Sequence, residues 1–128
     1  MKRPRLLLID DEPALASFVA QVAEDCGFEP LLAESGAHFR TLLREEKPDA
    51  IALDLGMPVD GVELLRLLAA ENVAAPVLIL SGFDRRVLES AFRLGEALGL
   101  RMTGPLEKPV RADDLEQVLT SMRTSLIS

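Results

Sequence analysis

The chain has 128 residues, of which 48% are hydrophobic and 27% charged, and a net charge of −7 with one cysteine and no tryptophan or tyrosine. That length suits one domain, taken as residues 1–128, which buries roughly two thirds of its unfolded surface. The balance excludes several classes: no basic stripe for direct nucleic-acid or anionic-membrane binding, and no apolar run near the roughly 20 residues that span a bilayer. The lone Cys26 permits neither an intrachain disulfide nor a cysteine metal site, and reads as a small core hydrophobe. The basic start of the chain is followed by an apolar run, Leu6 to Ile9, that is too short for a signal peptide and ends in acids, so the expected location is the cytoplasm.

In chain order, Arg5 to Ile9 reads as a buried strand that ends at Asp10-Asp11. Pro13 suits the first turn of a helix, with Asp11 or Glu12 as its cap and Leu15, Phe18, Val19, Val22 and Cys26 along one face. Gly27 stops it. Phe28 to Ala33 is a weaker strand, and Pro30, which has no ladder donor, places it at a sheet edge. Ser35 caps a second helix through Leu42 and Leu43 that ends before Pro48. His38, without acidic or cysteine neighbours at ligand spacing, reads as a helix-face residue.

Ala50 to Leu53 is a continuous apolar strand that runs into Asp54, then Gly56 and Pro58. Asp60 and Glu63 have capping-box spacing at the start of a third helix carrying Leu64, Leu65, Leu67 and Leu68, not all of which can face inward. Pro76 to Leu80 is a fourth strand, ending at Ser81-Gly82, and Asp84 opens a helix with Val87, Leu88, Ala91 and Leu98. A last strand lies within Leu100 to Leu106, ahead of Glu107-Lys108-Pro109. Leu115, Val118, Leu119 and Met122 mark the final helix. Five alternations of β and α imply an α/β fold, a doubly wound parallel sheet covered on both faces. The flavodoxin-like (βα)5 order 2-1-3-4-5 is favoured because it puts the proline-bearing second strand at an edge.

Four strands thus end in residues that an interior would not choose: Asp10-Asp11, Asp54, Ser81 and Lys108. Each has a structural reading of its own, as a helix cap, a loop hydroxyl or a solvated lysine. Those readings leave their shared edge unexplained. Two carboxylates about 4 Å apart repel by roughly 4 kcal/mol at an effective dielectric of 20, so the cluster needs a divalent cation, a lysine or both. All-oxygen ligands suit Mg²⁺, with Asp10 and Asp11 beside Asp54 as ligands and the Gly56 carbonyl as a further one. Asp54 is the candidate nucleophile, because carboxylates form aspartyl-phosphate intermediates, and Ser81 and Lys108 would bind phosphoryl oxygens.

The set Asp10-Asp11-Glu12, Asp54-Leu55-Gly56-Met57-Pro58 with Asp60-Gly61, Ser81-Gly82 and Lys108-Pro109 resembles the receiver domain of bacterial two-component response regulators, over essentially the whole chain. The resemblance implies a Mg²⁺-dependent phosphoacceptor that takes a phosphoryl group onto Asp54 from a histidine kinase or histidine phosphotransfer protein. It implies metal ligation by Asp10 and Asp11, a switch hydroxyl at Ser81, and phosphate binding by Lys108. The switched surface, made by the fourth and fifth helices and the last strand, would meet a downstream protein or fused output domain, or a second copy in a phosphorylation-dependent dimer.

Three departures from the family pattern stand out. Val59 alone separates Pro58 from Asp60-Gly61 where two residues are usual. Pro105 holds the position, three before the lysine, of the usual aromatic switch residue. The interval from Ser81 to Lys108 is long, and its motifs resemble receivers attached to cyclic-di-GMP phosphodiesterase domains. The Pro105 departure keeps open a constitutive docking module that ignores phosphate. A hydrolase of the haloacid-dehalogenase type is disfavoured, because no Asp-x-Asp occurs, and no nucleotide-binding Gly-x-x-x-x-Gly-Lys-Ser/Thr loop is present.

Overall fold

The computed structural model describes residues 3–55, 58–82 and 85–127, with backbone only at 58–61 and 127. Strands and helices alternate: β1 (Arg5–Ile9), α1 (Pro13–Asp25), β2 (Glu29–Ala33), α2 (Gly36–Glu46), β3 (Ala50–Asp54), α3 (Pro58–Ala70), β4 (Pro76–Ser81), α4 (Arg85–Ala97), β5 (Arg101–Glu107) and α5 (Ala112–Ile127). The strands form one sheet in the order β2-β1-β3-β4-β5, every pair parallel. The expected flavodoxin-like topology is therefore the observed one, with the proline-bearing β2 at an edge.

Because side chains alternate across a strand, each central strand feeds two cores. Leu7, Ile9, Ile51, Leu53, Val77 and Ile79 point to one face and pack with Phe39, Leu65, Leu68 and Leu88 of α2, α3 and α4. Leu6, Leu8, Ala50, Ala52, Leu78 and Leu80 point to the other and pack with Val19, Val22, Leu115 and Leu119 of α1 and α5. Continuous apolar runs in β1, β3 and β4 are what such two-sided burial requires. Of the four leucines of α3, Leu64, Leu65 and Leu68 are buried and Leu67 is only partly so. No helix among the described residues is long and apolar enough to cross a membrane.

Helix ends differ from expectation in informative ways. Ser35 caps α2 as foreseen, its Oγ accepting the His38 N–H at 3.1 Å. His38 is more than a face residue: its Nδ1 accepts the Glu34 N–H at 3.0 Å, so it helps close the same helix start. Helix α3 begins at Pro58, which leaves Asp60 inside the first turn rather than at the cap, and the Asp60–Glu63 spacing does not mark the helix start. Proline's fixed φ and missing N–H make it the better opener. In α4 the inward stripe is Leu88, Ala91 and Gly95, whereas Val87 is 43% exposed and Leu98 falls past the helix end. Gly95 replaces a side chain in that stripe because Met102 of β5 packs directly on its backbone. Asp84, expected to open α4, lies outside the described residues.

Among the described residues, strand β5 carries the break in register. Leu78 pairs with Thr103 but Leu80 with Leu106, so Gly104 and Pro105 together oppose Ile79. This is a β-bulge, with one extra residue on β5. Gly104 takes φ +81°, a region that suits glycine, and Pro105 is tolerated because a bulge on an edge strand needs no ladder donor there. The bulge draws everything after it back along the sheet by one residue, about 3.3 Å. That places Glu107 opposite Ser81 and Lys108 just beyond it.

Candidate functional site

All strands are parallel, so their carboxyl ends share one edge, and the expected residues meet there. Asp54 is the last residue of β3 and pairs with Leu80, next to Ser81, the last residue of β4. The backbone locks this edge: Leu55 N–H donates to Leu80 O at 2.7 Å, and Lys108 N–H donates to Ser81 O at 2.8 Å. Asp54 and Ser81 are the polar residues buried in the described structure, at 2% and 0% exposed. Lys108 folds its stem along Gly82, where an added Cβ would lie 3.2 Å from its Cδ. Its Nζ then reaches Asp54 Oδ1 at 3.0 Å and Glu12 Oε1 at 3.1 Å.

Asp10, Asp11, Glu12 and Asp54 each offer a carboxylate oxygen, and these oxygens lie within 4.8 Å of one another. At that separation two unit charges repel by about 3.5 kcal/mol at an effective dielectric of 20. The strain shows in the titration of Asp10, which is raised to about 6: burial pushes it up first, the Glu12 N–H lowers it, and the hydrogen bond and charge of Asp54 push it up again. Burial alone would lower the pKa of Lys108, but hydrogen bonds to Asp54 and Glu12 and the charges of Asp54 and Asp10 outweigh it and raise the pKa. Lys108 is thus a committed cation.

One Asp10 oxygen, Oδ1, accepts the Glu12 N–H at 2.8 Å, while Oδ2 is buried without a hydrogen-bond donor. A buried acceptor facing other carboxylates fits either a shared proton or a cation. The donor set, oxygen throughout, fits a hard divalent ion. Asp10, Asp11 and Asp54 therefore meet as expected, and Gly56, whose carbonyl was expected to join them, lies outside the described residues.

One assignment changes, and one contact is new. Neither Asp11 nor Glu12 caps α1 with its side chain: Glu12 takes the N-cap position without a side-chain cap bond, and Asp10 makes the local turn by accepting from the residue two ahead. The contact of Glu12 with Lys108 was missed in the sequence. Its signal was the unbroken acidic run into Pro13, whose first-turn preference leaves the Glu12 side chain free of the helix. Cys26 is half-buried between α1 and α5, beside Thr120 and Glu116, consistent with a packing role.

The response regulator receiver domain family matches residues 6–120, nearly the whole fold. The chain belongs to that family. Among curated relatives, the DNA-binding response regulator MtrA of Mycolicibacterium smegmatis is 34% identical over 80 residues, covering 62% of this chain and 35% of MtrA. Protein PilH of Pseudomonas aeruginosa is 32% identical over 121 residues, covering 92% of this chain and 96% of PilH. The chain therefore spans about a third of MtrA but nearly all of PilH. Among solved structures, a response regulator from Colwellia psychrerythraea superposes with a TM-score of 0.82 at 31% identity, covering 97% of this chain and 99% of that one. The chain is a receiver domain of two-component signalling, and its family acts as a phosphoacceptor switch.

Proposed function

We propose that Asp54 is the phosphoacceptor of this receiver domain, taking a phosphoryl group from the phosphohistidine of a histidine kinase or histidine phosphotransfer protein. The observation that carries the reading is the Lys108 ammonium 3.0 Å from the buried Asp54 carboxylate, among acids on the carboxyl edge of the sheet. An Asp54 oxygen attacks phosphorus, the O–P bond forms, the P–N bond to the donor imidazole breaks, and the imidazole recovers a proton. Under this reading Lys108 and Ser81 bind the phosphoryl oxygens, and a cation-assisted bond of the kind Lys108 would make is about twice as strong as a neutral one. Asp10, Asp11, Asp54 and the Gly56 carbonyl are the proposed Mg²⁺ ligands. Mg²⁺ bound there supplies charge neutralisation for the transferring group. Later hydrolysis of phospho-Asp54 at the same site returns the switch to its resting state.

Phosphorylation adds about −1.5 to −2 charges. Its pull on Lys108 passes straight into β5, and so to the face formed by α4, β5 and α5, the proposed contact for an output domain, a separate downstream protein or a second copy. We place the exchange in the cytoplasm, where an acidic chain without direct nucleic-acid contact answers to protein partners. Incubation with Mg²⁺ and acetyl phosphate, followed by intact mass, is expected to add one phosphate to the wild type and none to Asp54→Asn. No addition, or equal addition to both, overturns the assignment.

One observation favours a second reading. Pro105, at the position of the family's aromatic switch residue, lines a groove of about 410 Å³ with Leu88, Glu107, Val110 and Arg111. Under that reading the domain docks constitutively, and partner binding is unchanged by phosphorylation or by Asp54→Ala.

A further inference from the structure

Glu12 sits where a helix cap belongs and does not cap. It has extended backbone at φ −101°, ψ 106°, ahead of Pro13, and its side chain makes no bond to the helix. Asp10 Oδ1 fixes its backbone N–H at 2.8 Å. So constrained, the side chain crosses from α1 to the end of β5 and meets Lys108 at 3.1 Å, while Lys108 holds Asp54 at 3.0 Å. Two carboxylates therefore share one ammonium, the buried Asp54 and the mostly exposed Glu12. Of an ammonium's three donors, two are already occupied.

We propose that Glu12 is a positioning residue that acts through Lys108, occupying the ammonium until the phosphoryl group of a bound donor displaces it. This rests on the reading of Asp54 as phosphoacceptor. Glu12 keeps the lysine folded over the site and out of solvent. The same contact competes with an arriving phosphoryl group, whose several oxygens find one ammonium donor left while Asp54 and Glu12 hold the other two. Glu12 thereby sets how much phosphodonor is needed to half-saturate the reaction, rather than how fast the bound donor reacts.

The test is the rate of Asp54 phosphorylation against acetyl phosphate concentration, at saturating Mg²⁺, for wild type, Glu12→Gln and Glu12→Asp. Glu12 is exposed, so both variants keep the fold. An exposed ion pair is worth up to about 1 kcal/mol, so releasing Lys108 is expected to lower the half-saturating donor concentration about threefold to fivefold, with the limiting rate little changed. Glu12→Asp, one methylene too short for the contact, is expected to follow Glu12→Gln. Unchanged half-saturation in both variants overturns the proposal. So does an Asp variant that matches wild type, which would mark a general field effect, or, in a parallel Mg²⁺ titration, a change confined to the half-saturating Mg²⁺ concentration, which would mark a metal role. If wild type itself gains no phosphate, the phosphoacceptor reading fails first; if it does and the variants match it, this inference alone fails.

Discussion

Lys108→Met isolates the cation that holds the acids together. Methionine keeps an unbranched stem against Gly82 and removes only the charge. What remains is Asp54, whose side chain is fully buried, without the ammonium now 3.0 Å from its Oδ1. Breaking a buried pair by removing one partner costs about 3–5 kcal/mol. A destabilisation of about 3 kcal/mol at pH 8 without divalent cations is the expected result, because the Lys108 head is slightly exposed and water softens the change. With a urea slope of about 1.5–2 kcal/mol/M, the unfolding midpoint falls by about 1.5–2 M. Equal midpoints for the variant and the wild type would refute the claim that Lys108 neutralises a buried charge.

Asp10 and Gly104 give two further checks. The folded-state pKa of Asp10 is raised from 3.8 to about 6, so the folded protein binds this proton more tightly than the unfolded chain, and the associated stability is present below pH 4 and lost as pH rises through 6. Because the group is only partly buried, the loss is expected to be about 1 kcal/mol, read as the change between pH 4 and pH 7 in the stability difference from Asp10→Asn in metal-free buffer; a flat difference contradicts it. Gly104→Ala puts a Cβ 2.8 Å from Leu78 Cδ1 at a φ of +81°, and is expected to cost about 1–3 kcal/mol in chemical denaturation and to slow phosphorylation by acetyl phosphate. Normal stability would show that the bulge relaxes freely.

The fold was legible because β1, β3 and β4 are short apolar runs ended by turn residues, a pattern that suits buried parallel strands, and because Pro30 marks an edge. The site was legible because the polar end of each central strand breaks an apolar rule. What stayed hidden is local and depends on three dimensions. Whether Asp10, Asp11 or Glu12 spends its carboxylate on the helix start is decided by Asp10 bonding two residues ahead. The contact between Glu12 and Lys108 joins residues far apart in sequence, and no periodicity announces it. In α4, Val87 and Leu88 are equally apolar. The burial of Leu88 and the approach of Met102 to Gly95 show which face turns inward.

The Gly104-Pro105 bulge ties these points together. Without it, Ser81 would continue the upstream register and pair with Leu106, and Lys108 would start about 3.3 Å farther along the strand. A lysine side chain spans more than that, but one that must also lie along Gly82 and stay mostly buried has little slack. The extra residue thus compensates the longer interval between Ser81 and Lys108, and proline at that point is allowed because a bulged edge position asks for no N–H. The same residues that displace the family's aromatic position therefore deliver Lys108 to Asp54. Under the proposed function, coupling that passes through Lys108 to the α4–β5–α5 face runs along the backbone of this bulged strand, since no ring stands at position 105 to carry it.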